Sequence, residues 1–312
     1  MRRSCLATVK GFLADPDISP NLFDDCDSRT PLCTAIHNGN LSIITALLAH
    51  PNIDPHLPDR YGDTPLHVAM HQRDLRIVQA LLAHPKINPN LPNSDGVPPI
   101  EYAIFFKRGD IITDLLKHSK FNPNAQNKAG KPPLLQAIMV GYNIVVSKLL
   151  LHPKIDPNLQ DRTGYSPLLA AISYSNWIAT AFLLQHPKID PNLSNKNGMS
   201  PLHMAFLKKE VNVVKMLLAH PDVDPYLSDS RQYSLIQQEV CWNHLAIIKA
   251  FLEYKGDKLA HCSAQQRFQK SEEMKLSQLF DAINSDPEVS TAVHRQESAI
   301  IPGSQIYNIV KN

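Results

Sequence analysis

Thr64-Pro65-Leu66-His67-Val68-Ala69 is the stretch that decides the fold, and Ser200-Pro201-Leu202-His203-Met204-Ala205 nearly repeats it. Residues equivalent to Thr64 stand at Thr30, Pro98, Pro132, Ser166, Ser200 and Ser234, so that each such anchor lies 34 residues after the last. A fixed period of this length, held without insertion, is the mark of a solenoid whose units bury their apolar faces only against their neighbours.

The rest of the unit keeps the same beat. Proline follows the anchor at Pro31, Pro65, Pro99, Pro133, Pro167 and Pro201. This suits the first turn of a helix, where a missing N–H costs nothing. Alanine sits five after the anchor at Ala35, Ala69, Ala103, Ala137, Ala171 and Ala205, small enough to let neighbouring helices approach closely. A second helix carries a Leu-Leu pair, from Leu47-Leu48 to Leu217-Leu218, with apolar residues such as Ile77 and Val78 three and four positions earlier. His-Pro follows, as at His50-Pro51 and His186-Pro187, with His118-Ser119 the variant. Proline ends the helix there, and a histidine in the last turn suits the negative end of the helix dipole. An extended segment such as Ile155-Asp156-Pro157-Asn158-Leu159 leads to a turn with glycine two before the next anchor, at Gly62, Gly96, Gly130, Gly164 and Gly198. Each unit therefore reads as helix, short turn, helix, then a projecting loop or β-hairpin.

These residues resemble the ankyrin-repeat family, whose signature Thr-Pro-Leu-His-x-Ala is matched by Thr64 to Ala69. The period is one residue longer than the family's usual one, and the extra residue falls in the His-Pro-x-Ile-Asp-Pro-Asn connection. The resemblance implies an all-α ankyrin-repeat solenoid over residues 1–257, and the residues beyond it, 258–312, read as a short helical extension. Leu6–Ala14 read as the second helix of a truncated first unit. The unit at Ser234 has Gln232 for glycine, Leu235 for proline and Glu239 for alanine, as expected of a C-terminal cap. Beyond it, Gln265–Asn284 read as an amphipathic helix.

Bulk properties narrow the function. The chain is 43% hydrophobic, enough for a continuous core, and its net charge of +2 gives no basic footprint for phosphate backbones, so nucleic acid is not an expected partner. Cys5, Cys26, Cys33, Cys241 and Cys262 form no Cys-x-x-Cys pair, which argues against zinc or a disulfide framework. Lys10, Asp15 and Asp17 interrupt any leader after Arg2 and Arg3, and no apolar run is long enough to span a membrane. A cytoplasmic protein is expected.

Catalytic and cofactor chemistry is not expected either. The histidines of the His-Pro motif recur once per unit, too far apart for shared ligation. His67 and His71 have zinc spacing, but Val68 stands where the zincin glutamate belongs, and the family resemblance gives His67 a turn-bonding role. Asp54, Asp156, Asp190 and Asp224 precede prolines and read as turn acceptors. Asn90, Asn124, Asn158 and Asn192 occupy a loop position hydroxylated in some ankyrin proteins, although proline precedes them where the family has valine; read from the residues, they are turn-stabilising. No phosphate loop, nucleophile elbow or small-molecule site is evident.

The resemblance implies that a protein or peptide partner is held on a concave surface made by finger tips and first helices. In this register the fingers present Tyr61, Lys131, Tyr165 and Met199. Positions seven and eight after each anchor give His71, Phe105, Phe106, Met139, Val140, Tyr174, Leu207 and Trp242. The middle of that row is unusually apolar, while position six already supplies the core (Ile104, Ile138, Ile172, Phe206). Two readings stand: an exposed interaction patch, or side chains tucked between helices and fingers. The style of the connection is also similar to ankyrin effectors that intracellular bacteria translocate into host cells, and a recruiting subunit of a separate enzyme is a third expectation.

Overall fold

The structure, a computed structural model, describes residues 2–15, 18–24, 29–72, 74–225 and 227. The Ser234 unit, Trp242 and the helical extension expected over 258–312 lie outside the described residues. Thirteen α-helices and no strand are found among those described. After α1 (Arg2–Leu13) they fall in pairs. The first helices are α2 (Pro31–His37), α4 (Pro65–His71), α6 (Pro99–Phe105), α8 (Pro133–Met139), α10 (Pro167–Ser173) and α12 (Pro201–Leu207). The second helices are α3 (Leu41–Leu48), α5 (Leu75–Leu82), α7 (Gly109–Lys117), α9 (Asn143–Leu150), α11 (Trp177–Leu184) and α13 (Val211–Leu218). First helices pack on first helices and second on second, and α1 leans on α3 as the second helices lean on one another.

Each first helix is only seven residues long, too short to be stable by propensity alone. Its ends and its burial hold it. The proline occupies the first turn, and the hydroxyls of Thr30, Ser166 and Ser200 accept from the amides of Cys33, Leu169 and His203. Ala69, Ala103, Ala137, Ala171 and Ala205 are 0% exposed, which is the close helix contact that the small residue permits. Leu81, Leu115, Leu149, Leu183 and Leu217 are equally sealed, each side chain contributing about 2–3 kcal/mol of transfer free energy.

Between the helices of five described pairs, the chain takes a left-handed turn nine residues after the anchor. Gly39 and Gly141 fill it at φ 65 and 71, but Lys107, Ser175 and Lys209 adopt φ 53, 52 and 58 without being glycine. A side chain in this region costs about 1–2 kcal/mol. Ser175→Gly and Lys209→Gly are each expected to raise stability by about 1 kcal/mol, read as a higher urea midpoint with an unchanged slope.

Of the two finger forms expected, the loop is the one present. Each of the five fingers described from Asp59 to Met199 is a turn closed by one pair of bonds, for example Asp161 N–H to Tyr165 O (3.0 Å) and Gly164 N–H to Asp161 O (2.9 Å). An Asx side chain five before the anchor sets the turn. Asp59, Asn93, Asn127, Asp161 and Asn195 each accept two further amides, as Asp161 does from Thr163 and Tyr165. Adjacent fingers then share a single backbone bond, such as Lys196 N–H to Thr163 O (3.3 Å), which is too little pairing to make a ladder.

Candidate protein-interaction surface

The connecting segments show what the repeated polar residues do. Asn124 donates to Lys154 O (2.8 Å) and accepts from Asp156 N–H (2.9 Å) of the next unit. Asn90, Asn158 and Asn192 make the same two bonds one unit apart, and Asn21 begins the series with bonds to Asn52 and Asp54. Both ends of each amide are thus committed to the following repeat, as a structural asparagine requires. At the one place where this position is His56, its Nε2 accepts from Asn88 N–H at 2.9 Å instead. The aspartates turn as expected: Asp54, Asp156 and Asp190 each accept the amide two residues on.

The His-Pro histidines work differently from the dipole reading. Their Nδ1 accepts the amide two residues later, at 3.2 Å from Lys154 N in the case of His152. With Nδ1 accepting, Nε2 carries the proton, and in His118 it donates to Leu82 O (3.1 Å), the last carbonyl of helix α5 in the preceding unit. The carbonyls of Leu48 and Leu150 act on His84 and His186 from the corresponding place in the preceding unit. In His118 a neutral imidazole therefore caps the neighbour's helix, and in the His-Pro histidines the same Nδ1 acceptor closes the turn that follows the helix. Burial, with a lysine two residues on, holds His84, His152 and His186 below the ordinary histidine value.

The remaining reactive groups are quiet. His67 is fully buried, with Nε2 on Val97 O (2.9 Å) and Nδ1 on the Thr64 hydroxyl (2.7 Å), which realises its expected turn-bonding role and leaves no nitrogen for a metal. Burial pushes the Cys33 thiol up to about 11, far from a nucleophile's range. No three His, Cys, Asp or Glu converge as a ligand set among the described residues. No helix among them is long and apolar enough to cross a membrane.

Along the first-helix row, the apolar residues divide by position. Phe105 is 71% exposed, Tyr174 54%, Phe106 45% and Leu207 42%, while His71 is exposed and Met139 and Val140 are half-buried. Of the finger residues, only Tyr61 stands at a tip, 60% exposed with the Arg60 guanidinium 4.6 Å over its ring. Lys131, Tyr165 and Met199 lie at the finger bases, where their carbonyls close the turns, and are half-buried. The tips are the residues one and two after the Asx, so the glycine-based register placed three of these four residues too far out. Sequence reasoning also passed over Ile144 (65% exposed) and Trp177 (53%), both on second helices.

A pocket of about 330 Å³ opens in the same row, lined by residues of α4, α6 and α8 and their flanks. His71, Phe105, Phe106 and Val140 were expected at a surface; Glu101, Tyr102 and Gln136 were not. The rings meet edge-on: His71 lies 5.3 Å from Tyr102 and from Phe106, and Phe105 5.3 Å from Phe106. Tyr102 donates to Asp63 (3.2 Å), and burial beside that carboxylate pushes its phenol up to about 12. Glu101 accepts from Asn127 (2.9 Å) and Gln136 (2.5 Å), and burial raises its carboxyl above the ordinary value. The signal that could have found them is internal. Three and four after the anchor, the two units that follow have Leu135 and Gln136, then Leu169 and Ala170, where this one alone has Glu101 and Tyr102.

Paired short helices stacked in two rows with turn fingers define an all-α repeat solenoid. The family model for ankyrin repeats matches three times, over residues 2–93, 100–194 and 178–266, and the chain belongs to the ankyrin-repeat family. Such repeats are in general protein–protein interaction modules. The fold is similar to the ankyrin repeat domain of Bcl-3, a member of the IkappaB protein family. That likeness has a TM-score of 0.61 at 22% identity, covering 71% of this chain and 94% of that one. It is also similar to an ankyrin repeat domain from Acinetobacter baumannii AYE, with a TM-score of 0.55 at 25% identity, covering 61% and 97%. No curated protein sequence matches the chain significantly.

Proposed function

We propose that the chain is a non-catalytic scaffold that holds a partner protein against its first-helix row and finger tips. The observation that carries this is the run of exposed large apolar side chains at Phe105, Phe106, Tyr174 and Leu207, in helices whose cores are already complete without them. Exposed apolar surface of this kind, rimmed by charge, is what interaction surfaces are made of, and aromatic side chains are favoured anchors.

Phe105 and Tyr174 are both more than half exposed, so each can be made charged without opening the core. The double variant Phe105→Asp with Tyr174→Asp should keep the wild-type melting temperature and lose the proteins that the wild type retains in affinity purification. Unchanged retention at unchanged stability would sink the reading. If the scaffold is a translocated effector or an enzyme's recruiting subunit, the same surface serves. Export that fails on deleting residues 258–312 would support the effector.

A further inference from the structure

We propose that the pocket between α4, α6 and α8 receives a basic side chain, lysine or arginine, from the partner polypeptide. This rests on the scaffold reading above and specifies the chemistry that the surface selects.

Six other units provide an internal reference for what the architecture needs. Three after the anchor they carry Cys33, His67, Leu135, Leu169, His203 and Gln237, and none is acidic. The unit at Pro98 departs from its two successors at four positions together: Glu101, Tyr102, Phe105 and Phe106 replace Leu135, Gln136, Met139 and Val140, then Leu169, Ala170, Ser173 and Tyr174. All four departures line this one pocket. A solenoid that packs at neighbouring units without a half-buried carboxylate does not need one here, and drawing one partly out of water is costly unless a cation answers it.

Within the described residues, no Lys, Arg or His forms an ion pair with Glu101, whose bonds come from two neutral amides. Lys131 acts on it only through space. Asp63 adds a second carboxylate behind the Tyr102 hydroxyl, and Asp95 contributes to the same negative field at that phenol. The walls suit a cation on a hydrocarbon stem. His71, Tyr102 and Phe106 stand at steep mutual angles of 62° to 87°, forming a corner of rings within which a cation can sit near a ring face. Ile104, Val97 and Val140 offer an apolar lining to the methylenes. A neutral apolar guest would desolvate Glu101 further with no new cation to offset the cost, so charge complementarity selects a basic side chain over a leucine or methionine of similar size.

The test uses the full chain and capped pentapeptides Gly-Gly-X-Gly-Gly, with X lysine, arginine or norleucine, followed at neutral pH by the amide NMR signals of residues 101–106. The lysine and arginine peptides should shift these signals saturably, with a Kd on the order of 1 mM for so small a contact. The norleucine peptide, alike in stem but uncharged, should bind at least about tenfold more weakly. Glu101→Gln keeps an acceptor for Asn127 and Gln136 while removing the charge, and should weaken the lysine peptide about tenfold without lowering the melting temperature. Equal binding of norleucine and lysine, equal binding to Glu101→Gln, or no saturable shift with any peptide overturns the proposal. Each of these results leaves the scaffold reading to be decided separately, by retention of partners on the Phe105 and Tyr174 double variant.

Discussion

Replacing Gly164 by alanine is expected to lower stability by about 3 kcal/mol, well beyond the usual effect of so small a change. Two costs add there. Its φ of +84 is a region that an alanine enters at about 1–2 kcal/mol. The new Cβ would also fall 2.7 Å from the Lys196 backbone nitrogen and 3.0 Å from the Asn195 Cα, and backbone cannot swing aside as a side chain does. Relief would displace the next finger, whose turn is organised by the 8%-exposed Asn195. Gly141 supplies the control. It has φ +71 but nothing within 4 Å of an added Cβ, so Gly141→Ala should carry the dihedral cost alone. Urea unfolding of both variants separates the terms, and equal losses would mean that finger contact contributes nothing.

Acid should weaken the array earlier than carboxylate chemistry alone would. His67, His84, His152 and His186 are held below the ordinary histidine value of 6.5, chiefly by burial. Their unfolded forms therefore bind protons first as pH falls, so the unfolded chain holds more protons than the folded one. This contribution is complete above about pH 6.5 and is lost progressively as pH drops from there toward the depressed folded values. Protonation also removes the lone pair with which His84, His152 and His186 accept the following amides. Asp74, Asp110 and Asp161, held below 3.8, act in the same direction but only in a lower range. Glu101, raised by burial, works oppositely near and above 4.5 and blunts part of the loss. The melting temperature should fall by several degrees between pH 7 and 5. The fall should be smaller in the variant combining His152→Gln with His186→Gln, and a flat profile for the wild type would contradict the neutral-imidazole assignment.

The fold was legible because its information is repeated. Pro65, Ala69 and Leu81 each recur at a fixed interval, and a helix pair can be read from one unit and checked against five more. The exposed row was legible for the same reason, since Ile104 already fills the core position and leaves Phe105 over. What escaped was everything that depends on contacts between units. The Asx at Asp161, not the glycine at Gly164, sets where a finger tip lies, which moved Tyr165 from tip to base. Periodicity sets the imidazole of His118 against its own helix, whereas the carbonyl it meets, Leu82, lies 36 residues back. Glu101 and Tyr102 were passed over because they break the repeat, and a reading tuned to periodicity discounts what does not recur.

The asparagine series has a consequence for how such a chain can change length. Asn90, Asn124, Asn158 and Asn192 present identical couplings to whatever follows, so the junctions between internal units are interchangeable. Excising residues 125–158 joins Asn124 to Leu159 and hands its coupling to Lys188 and Asp190, the groups Asn158 now serves. Removing or adding one whole block at such a junction should therefore keep the asparagine coupling and change the reach of the array. The block from Pro98 is the exception, since it alone holds Glu101 and Tyr102 and no copy could stand in for it.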